Sequence, residues 1–117
     1  MLPGEAWWGG SVHYGHEMPL TAQSALTLDP DHGRENDQFA PLYVSSMGRC
    51  LWSERPFVLE VRDGRMECRG VGKILLEEGF GDLRGAYLAA CRTHFPFTGT
   101  LPDRRFFTQP QYNTWIE

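Results

Sequence analysis

The chain has 117 residues, 41% of them hydrophobic, enough for one domain with a real core and too few for two. Its formal charge of −4 comes without a basic run, and single arginines among acids leave no phosphate-tracking footprint, so nucleic acid is excluded as a partner. The opening Met1–Ala6 has no basic or apolar leader, and no window nears the roughly 18 apolar residues of a spanning helix, so the sequence predicts a soluble chain with no export signal and no membrane partner.

The predicted elements follow in chain order. Trp7–Tyr14 reads as a strand whose glycine pair, Gly9-Gly10, marks a bulge or a close backbone approach; one of Trp7 and Trp8 faces inward and the other outward. Thr21–Leu28 alternates Ala22, Ser24, Leu26 and Leu28, a second strand. Asp29–Asp37 is turn chemistry and predicts a solvated loop. Pro41–Ser46 and Cys50–Ser53 flank Met47-Gly48-Arg49 as a hairpin. In the next hairpin Phe57, Leu59 and Val61 alternate with Val58, Glu60 and Arg62 before Asp63-Gly64. A type I′ turn there pairs Arg62 with Arg65, Val61 with Met66, Glu60 with Glu67 and Leu59 with Cys68. One face is then apolar and the other charged, so this hairpin packs on one side only, with Arg62, Arg65 and Arg69 offsetting the Glu60/Glu67 pair.

Lys73–Glu78 reads as a short strand. Asp82 predicts the N-cap of a helix reaching His94, with Leu83, Ala86, Tyr87, Ala90, Cys91 and His94 on one face, ended by Phe95-Pro96. Phe97–Gln109 reads as a linker and Pro110–Glu117 as a strand. That last strand has no following sequence to pair with, so the expectation is a fragment of a larger protein, with unpaired edges open to self-association. Cys50, Cys68 and Cys91 are odd in number, far apart and without a Cys-x-x-Cys pair. They read as reduced core cysteines, which fits a cytoplasmic compartment.

Several segments together resemble the amino-terminal part of bacterial glycosidases of glycoside hydrolase family 31. Trp7-Trp8-Gly9-Gly10 with Gly15–Leu20 is similar to the tryptophan-glycine segment of that family's β-sandwich, and Ala40–Arg49 to its Ser-x-Gly-Arg hairpin. Asp82–Tyr87 resembles the helix leading out of the sandwich, and Phe107–Glu117, above all Pro110-Gln111-Tyr112-Asn113-Thr114-Trp115-Ile116-Glu117, the entry into the catalytic barrel. The resemblance implies a mainly β fold: a partial, galactose-mutarotase-like β-sandwich over 1–79, a helix and linker over 80–109, and over 110–117 the first strand of a truncated (β/α)₈ barrel. It also implies a parent enzyme that hydrolyses α-glycosides with retention, with carbohydrate as its partner. The alternative is a stand-alone carbohydrate-binding or assembly module without hydrolase activity.

Retaining hydrolysis needs two carboxylates roughly 5 Å apart at a pocket. In that family they are aspartates on later barrel strands, and no acid here matches either, so no catalytic residue is assigned. Glu77 and Glu78 point to opposite faces of a strand, and Asp29, Asp31, Glu35 and Asp37 sit in a loop without the spacing of a calcium site. His13, His16, His32 and His94 form no metal-ligand pattern, and no serine lies in a nucleophile elbow. The sequence predicts neither metal nor cofactor. Trp115 and Asn113 are the candidate substrate-binding residues: an indole near the start of a barrel strand can wall a sugar pocket or fill the barrel core, and Asn113 and Glu117 share its side of the strand.

Overall fold

The structure, a computed structural model, describes residues 1–30 and 38–110. The expected terminal strand 110–117, apart from Pro110, and the acidic loop positions Asp31, His32, Glu35 and Asp37 lie outside those residues. The described chain is mainly β. Seven strands, β1 (Trp7–Ser11), β2 (Leu26–Leu28), β3 (Phe39–Ser45), β4 (Cys50–Ser53), β5 (Phe57–Arg62), β6 (Arg65–Gly70) and β7 (Ile74–Glu77), form two antiparallel sheets. Sheet A has the order β1-β3-β4-β7 and sheet B the order β2-β5-β6.

The β5–β6 hairpin has the register that alternation dictates, from Arg62 opposite Arg65 to Leu59 opposite Cys68. Asp63 and Gly64 both take positive φ, 50° and 69°, as a type I′ turn requires, and a residue tolerant of that region stands at each place. Phe57, Leu59 and Val61 are buried inward. Outward, Arg69 lies 3.0 Å and Arg62 3.7 Å from the Glu60 carboxylate, which offsets Glu67 across the strand. In β1 the register shifts between Gly9 and Gly10, the expected bulge. A Cβ on Gly9 would stand 2.1 Å from the Leu42 carbonyl oxygen, so β3 can approach only a glycine there.

Two strands are shorter than expected. The first ends at Ser11, whose side chain accepts a hydrogen bond from the His13 N–H and starts a 3₁₀ turn over Val12–Glu17. The second is reduced to Leu26–Leu28. Thr21 and Ser24 close a turn instead: the Ser24 N–H donates to the Thr21 carbonyl at 3.0 Å, and the Thr21 N–H to Ser24 Oγ at 2.9 Å. Local side-chain bonds of this kind outcompete a weak strand pattern. Before that turn, Leu20 makes a two-way bridge with Trp7, each bond 2.9 Å.

The core lies between the sheets. Trp7, Tyr43 and Leu51 of sheet A meet Leu28, Phe57, Leu59 and Val61 of sheet B, and the Tyr43 and Phe57 rings are 5.8 Å apart. The opposite face of sheet A carries Val44, Cys50, Trp52, Leu75 and Glu77 by strand alternation and register. Over its β3 and β4 strands lies α1 (Leu83–His94), so the middle of sheet A is covered on both faces. The Asp82 carboxylate caps α1 by accepting from the Gly85 N–H at 2.7 Å. Its packed stripe is narrower than expected. Ala86 and Ala90 are buried, whereas Leu83 and Tyr87, on the flank of that stripe, are 36% and 53% exposed. The expected linker Phe97–Gln109 also contains a one-turn helix, α2 (Arg105–Thr108), so helical structure is not confined to one element.

Candidate functional site

Three places gather chemistry. At the first, Glu5, 44 residues from Arg49 in sequence, has a fully buried side chain and receives the Arg49 guanidinium through two donors, one of them Nε at 2.8 Å from Oε1. The Leu2 N–H adds a third bond at 2.9 Å. Arg49 also reaches Glu78 through Nη1 at 2.9 Å and lies 5.3 Å from the centroid of the Trp7 ring. Burial by itself would raise the Glu5 carboxyl, but the bonds from Arg49 and Leu2, helped by Ser45 and Trp7, hold it down at about 2. A carboxylate so firmly ionised cannot donate a proton to a leaving group. It clamps the first residues of the chain to the β3–β4 turn, and Glu78 ties that turn to the end of β7.

The second lies where α1 meets sheet A. His94 Nε2 is 2.7 Å from Glu77 Oε2, and its ring stacks on Trp52 with centroids 3.8 Å apart and planes 8° from parallel. Helical spacing places Ala86, Ala90 and His94 on one stripe, so the two small residues let the helix approach and the imidazole closes its end. The Cys50 thiol donates to the same Glu77 oxygen at 3.3 Å. Cysteine, histidine and carboxylate together invite comparison with a thiol hydrolase, but the order is wrong. The carboxylate sits between sulfur and imidazole, and burial together with Glu77 pushes the thiol up to about 12, far from the thiolate a nucleophile needs. His94 chiefly pulls the Glu77 carboxyl below its usual range. This cluster fastens the helix.

The third is a groove of about 520 Å³ at the end of the same face. Trp52, Leu75 and the exposed Val71 form its apolar part, and Glu54, Arg55 and Lys73 stand around it. It is the only one of the three that can admit a ligand.

The candidate sugar-binding residues Trp115 and Asn113, with Glu117, lie outside the described residues. Of the other singled-out positions, Trp7 is 1% exposed and Trp8 half-buried, as strand alternation requires. His13–Glu17 lie in the 3₁₀ turn, with Tyr14 and the following Met18 packed against the core, while His16 bonds the His13 carbonyl at 3.1 Å and approaches Glu17 at 3.3 Å. Glu77 and Glu78 do point apart, one to His94 and one to Arg49. Among the described residues no three His, Cys, Asp or Glu side chains are grouped to hold a metal ion. Sequence reasoning missed the Trp52 groove. Its signal was a tryptophan on a short strand, with Arg55 and Lys73 near the strand ends, and only pairing of β4 with β7 joins them. No family model matches the sequence, and no curated protein matches it.

Proposed function

We propose that the chain is the non-catalytic β-sandwich portion of a retaining α-glycosidase of the kind its sequence resembles, a galactose-mutarotase-like sandwich followed by the first strand of a (β/α)₈ barrel at 110–117. In this reading it acts on no bond itself. It is a scaffold for the barrel, and Trp115 and Asn113 contribute to the sugar pocket there.

The observation that carries the reading is the apolar surface after α1. Phe95, Phe97, Leu101, Phe106 and Phe107 are 51–74% exposed, and Leu76 on β7 is 51% exposed. So much large apolar surface in one stretch calls for a covering body, and a barrel following the sandwich is such a body. The acids agree with a scaffold role, since Glu5, Glu77 and Glu78 are engaged by Arg or His, and Glu60, which shares an open pocket with Glu67 opposite it, is held by Arg62 and Arg69. A second reading, a stand-alone carbohydrate-binding module in a cytoplasmic setting, is favoured by the Trp52 groove.

The test compares this chain with a polypeptide extended by several hundred residues of the same reading frame, assayed on α-glucosides, α-galactosides, α-xylosides and sulfoquinovosides. Hydrolysis by the longer polypeptide alone is the expected result. Hydrolysis by neither moves the weight to the binding module, and hydrolysis by this chain alone overturns the scaffold reading.

A further inference from the structure

We propose that the groove beside Trp52 is a binding site for an acidic pyranose, a sugar ring bearing a carboxylate or phosphate. The inference stands on the groove's own residues and does not depend on the glycosidase reading.

Its floor is set before any ligand arrives. One face of the Trp52 indole is taken by His94 at 3.8 Å, and His94 is held in turn by Glu77 at 2.7 Å, so the ring is braced from that side. A flat ring already braced on one face loses little freedom when a second ring packs against it, and a pyranose offers a C–H face suited to an indole. Leu75, opposite Trp52 in the sheet register, extends the apolar floor.

Its rim carries the charge. Arg55 and Lys73 make no ion pair among the described residues, although the chain as a whole is acidic at −4. Arg55 is placed twice over. Its N–H donates to the buried Ser53 Oγ at 3.1 Å, and its stem lies against Gly72, where a Cβ would come within 3.1 Å of Arg55 Cβ and 3.2 Å of Cγ. Beyond that anchored backbone and stem, the guanidinium offers the planar fork that carboxylate and phosphate oxygens match, with Lys73 as a second point charge. Glu54 supplies an acceptor for ring hydroxyls. The volume of about 520 Å³ is within the usual range of small-ligand sites, about 300–1,000 Å³. Two cations are too few to track a nucleic-acid backbone, whereas an aromatic floor with one anion-binding corner fits a single acidic sugar unit.

The test follows the Trp52 indole N–H by NMR in the intact chain during titration with glucuronate, glucose 6-phosphate, glucose and inorganic phosphate, the resonance being assigned with Trp52→Phe. Glucuronate or glucose 6-phosphate should shift it saturably, and whichever acts more strongly identifies the acid group. Neutral glucose should bind about tenfold more weakly, and an Arg55→Ala/Lys73→Ala variant should lose about tenfold in affinity for the acidic sugar at an unchanged melting temperature. Absence of a saturable shift with either acid overturns the proposal. So does equal binding of glucose, unchanged affinity in the double variant, or an equal Trp52 response to inorganic phosphate alone.

Discussion

The outward faces of the two sheets meet opposite fates. Sheet B turns Glu60, Arg62, Arg65, Glu67 and Arg69 to solvent, while sheet A turns Val44, Cys50, Trp52 and Leu75 to the side of α1, which covers its β3 and β4 strands. The same ion-pair chemistry therefore occurs in two dielectric settings. Glu60 and Arg69 meet at 3.0 Å with the arginine side chain 64% exposed, whereas Glu5 is fully buried beneath an Arg49 that is only 15% exposed. Water screens the first pair and leaves it worth little. The second has no water to fall back on, so its worth lies mainly in what happens when one partner is removed.

The largest effect should come from Arg49→Ala, which strands a buried carboxylate and should cost about 3–5 kcal/mol in urea unfolding. Arg49→Lys should recover only part of this, because an ammonium cannot make the two-pronged contact. The same pair governs acid stability. The Glu5 carboxyl, ordinarily near 4.5, is held at about 2 in the folded chain, so folding favours its ionised form. That contribution is complete above about pH 4.5 and is lost as pH falls toward 2. A Glu5→Gln variant should flatten the loss across this window, and an unchanged acid profile would remove Glu5 from the account.

His94→Ala sharpens the comparison on the covered face. It deletes the Trp52 stack and the Glu77 bond together and should cost about 1–2 kcal/mol. Amide exchange should quicken in α1 and stay unchanged in the β5–β6 hairpin; faster exchange in both would mean that the helix and sheet B unfold as one unit. The smallest effect belongs to the open face. Arg69→Ala should move the unfolding midpoint by less than about 1 kcal/mol, with added salt shrinking even that. A larger loss would show that the outer face of sheet B is not as solvated as its exposure indicates.

Legibility in the sequence followed the range of the interactions. The β5–β6 register could be read residue by residue, because Asp63-Gly64 sets the turn and strict alternation sets the face. The bulge at Gly9-Gly10 and the Asp82 cap were legible for the same local reason. The Thr21–Leu28 strand was overread, since a Thr/Ser turn leaves an alternation that mimics a strand. Cys50-Leu51-Trp52-Ser53 carries no clean alternation, and the structure supplies the reason: both faces of that strand are covered, so neither needs to be polar.

By itself the sequence determined the mainly β class, the hairpins and their turns, and the helix with its cap, because each rests on neighbours a few residues apart. Tertiary structure alone decided that β7 pairs with β4, that α1 covers sheet A, and that Glu5 finds Arg49 across 44 residues. It alone brought Trp52, Arg55 and Lys73 to one groove. Contacts of this kind depend on which apolar faces are left to be buried once the local elements have formed, and that choice is made by the assembled core.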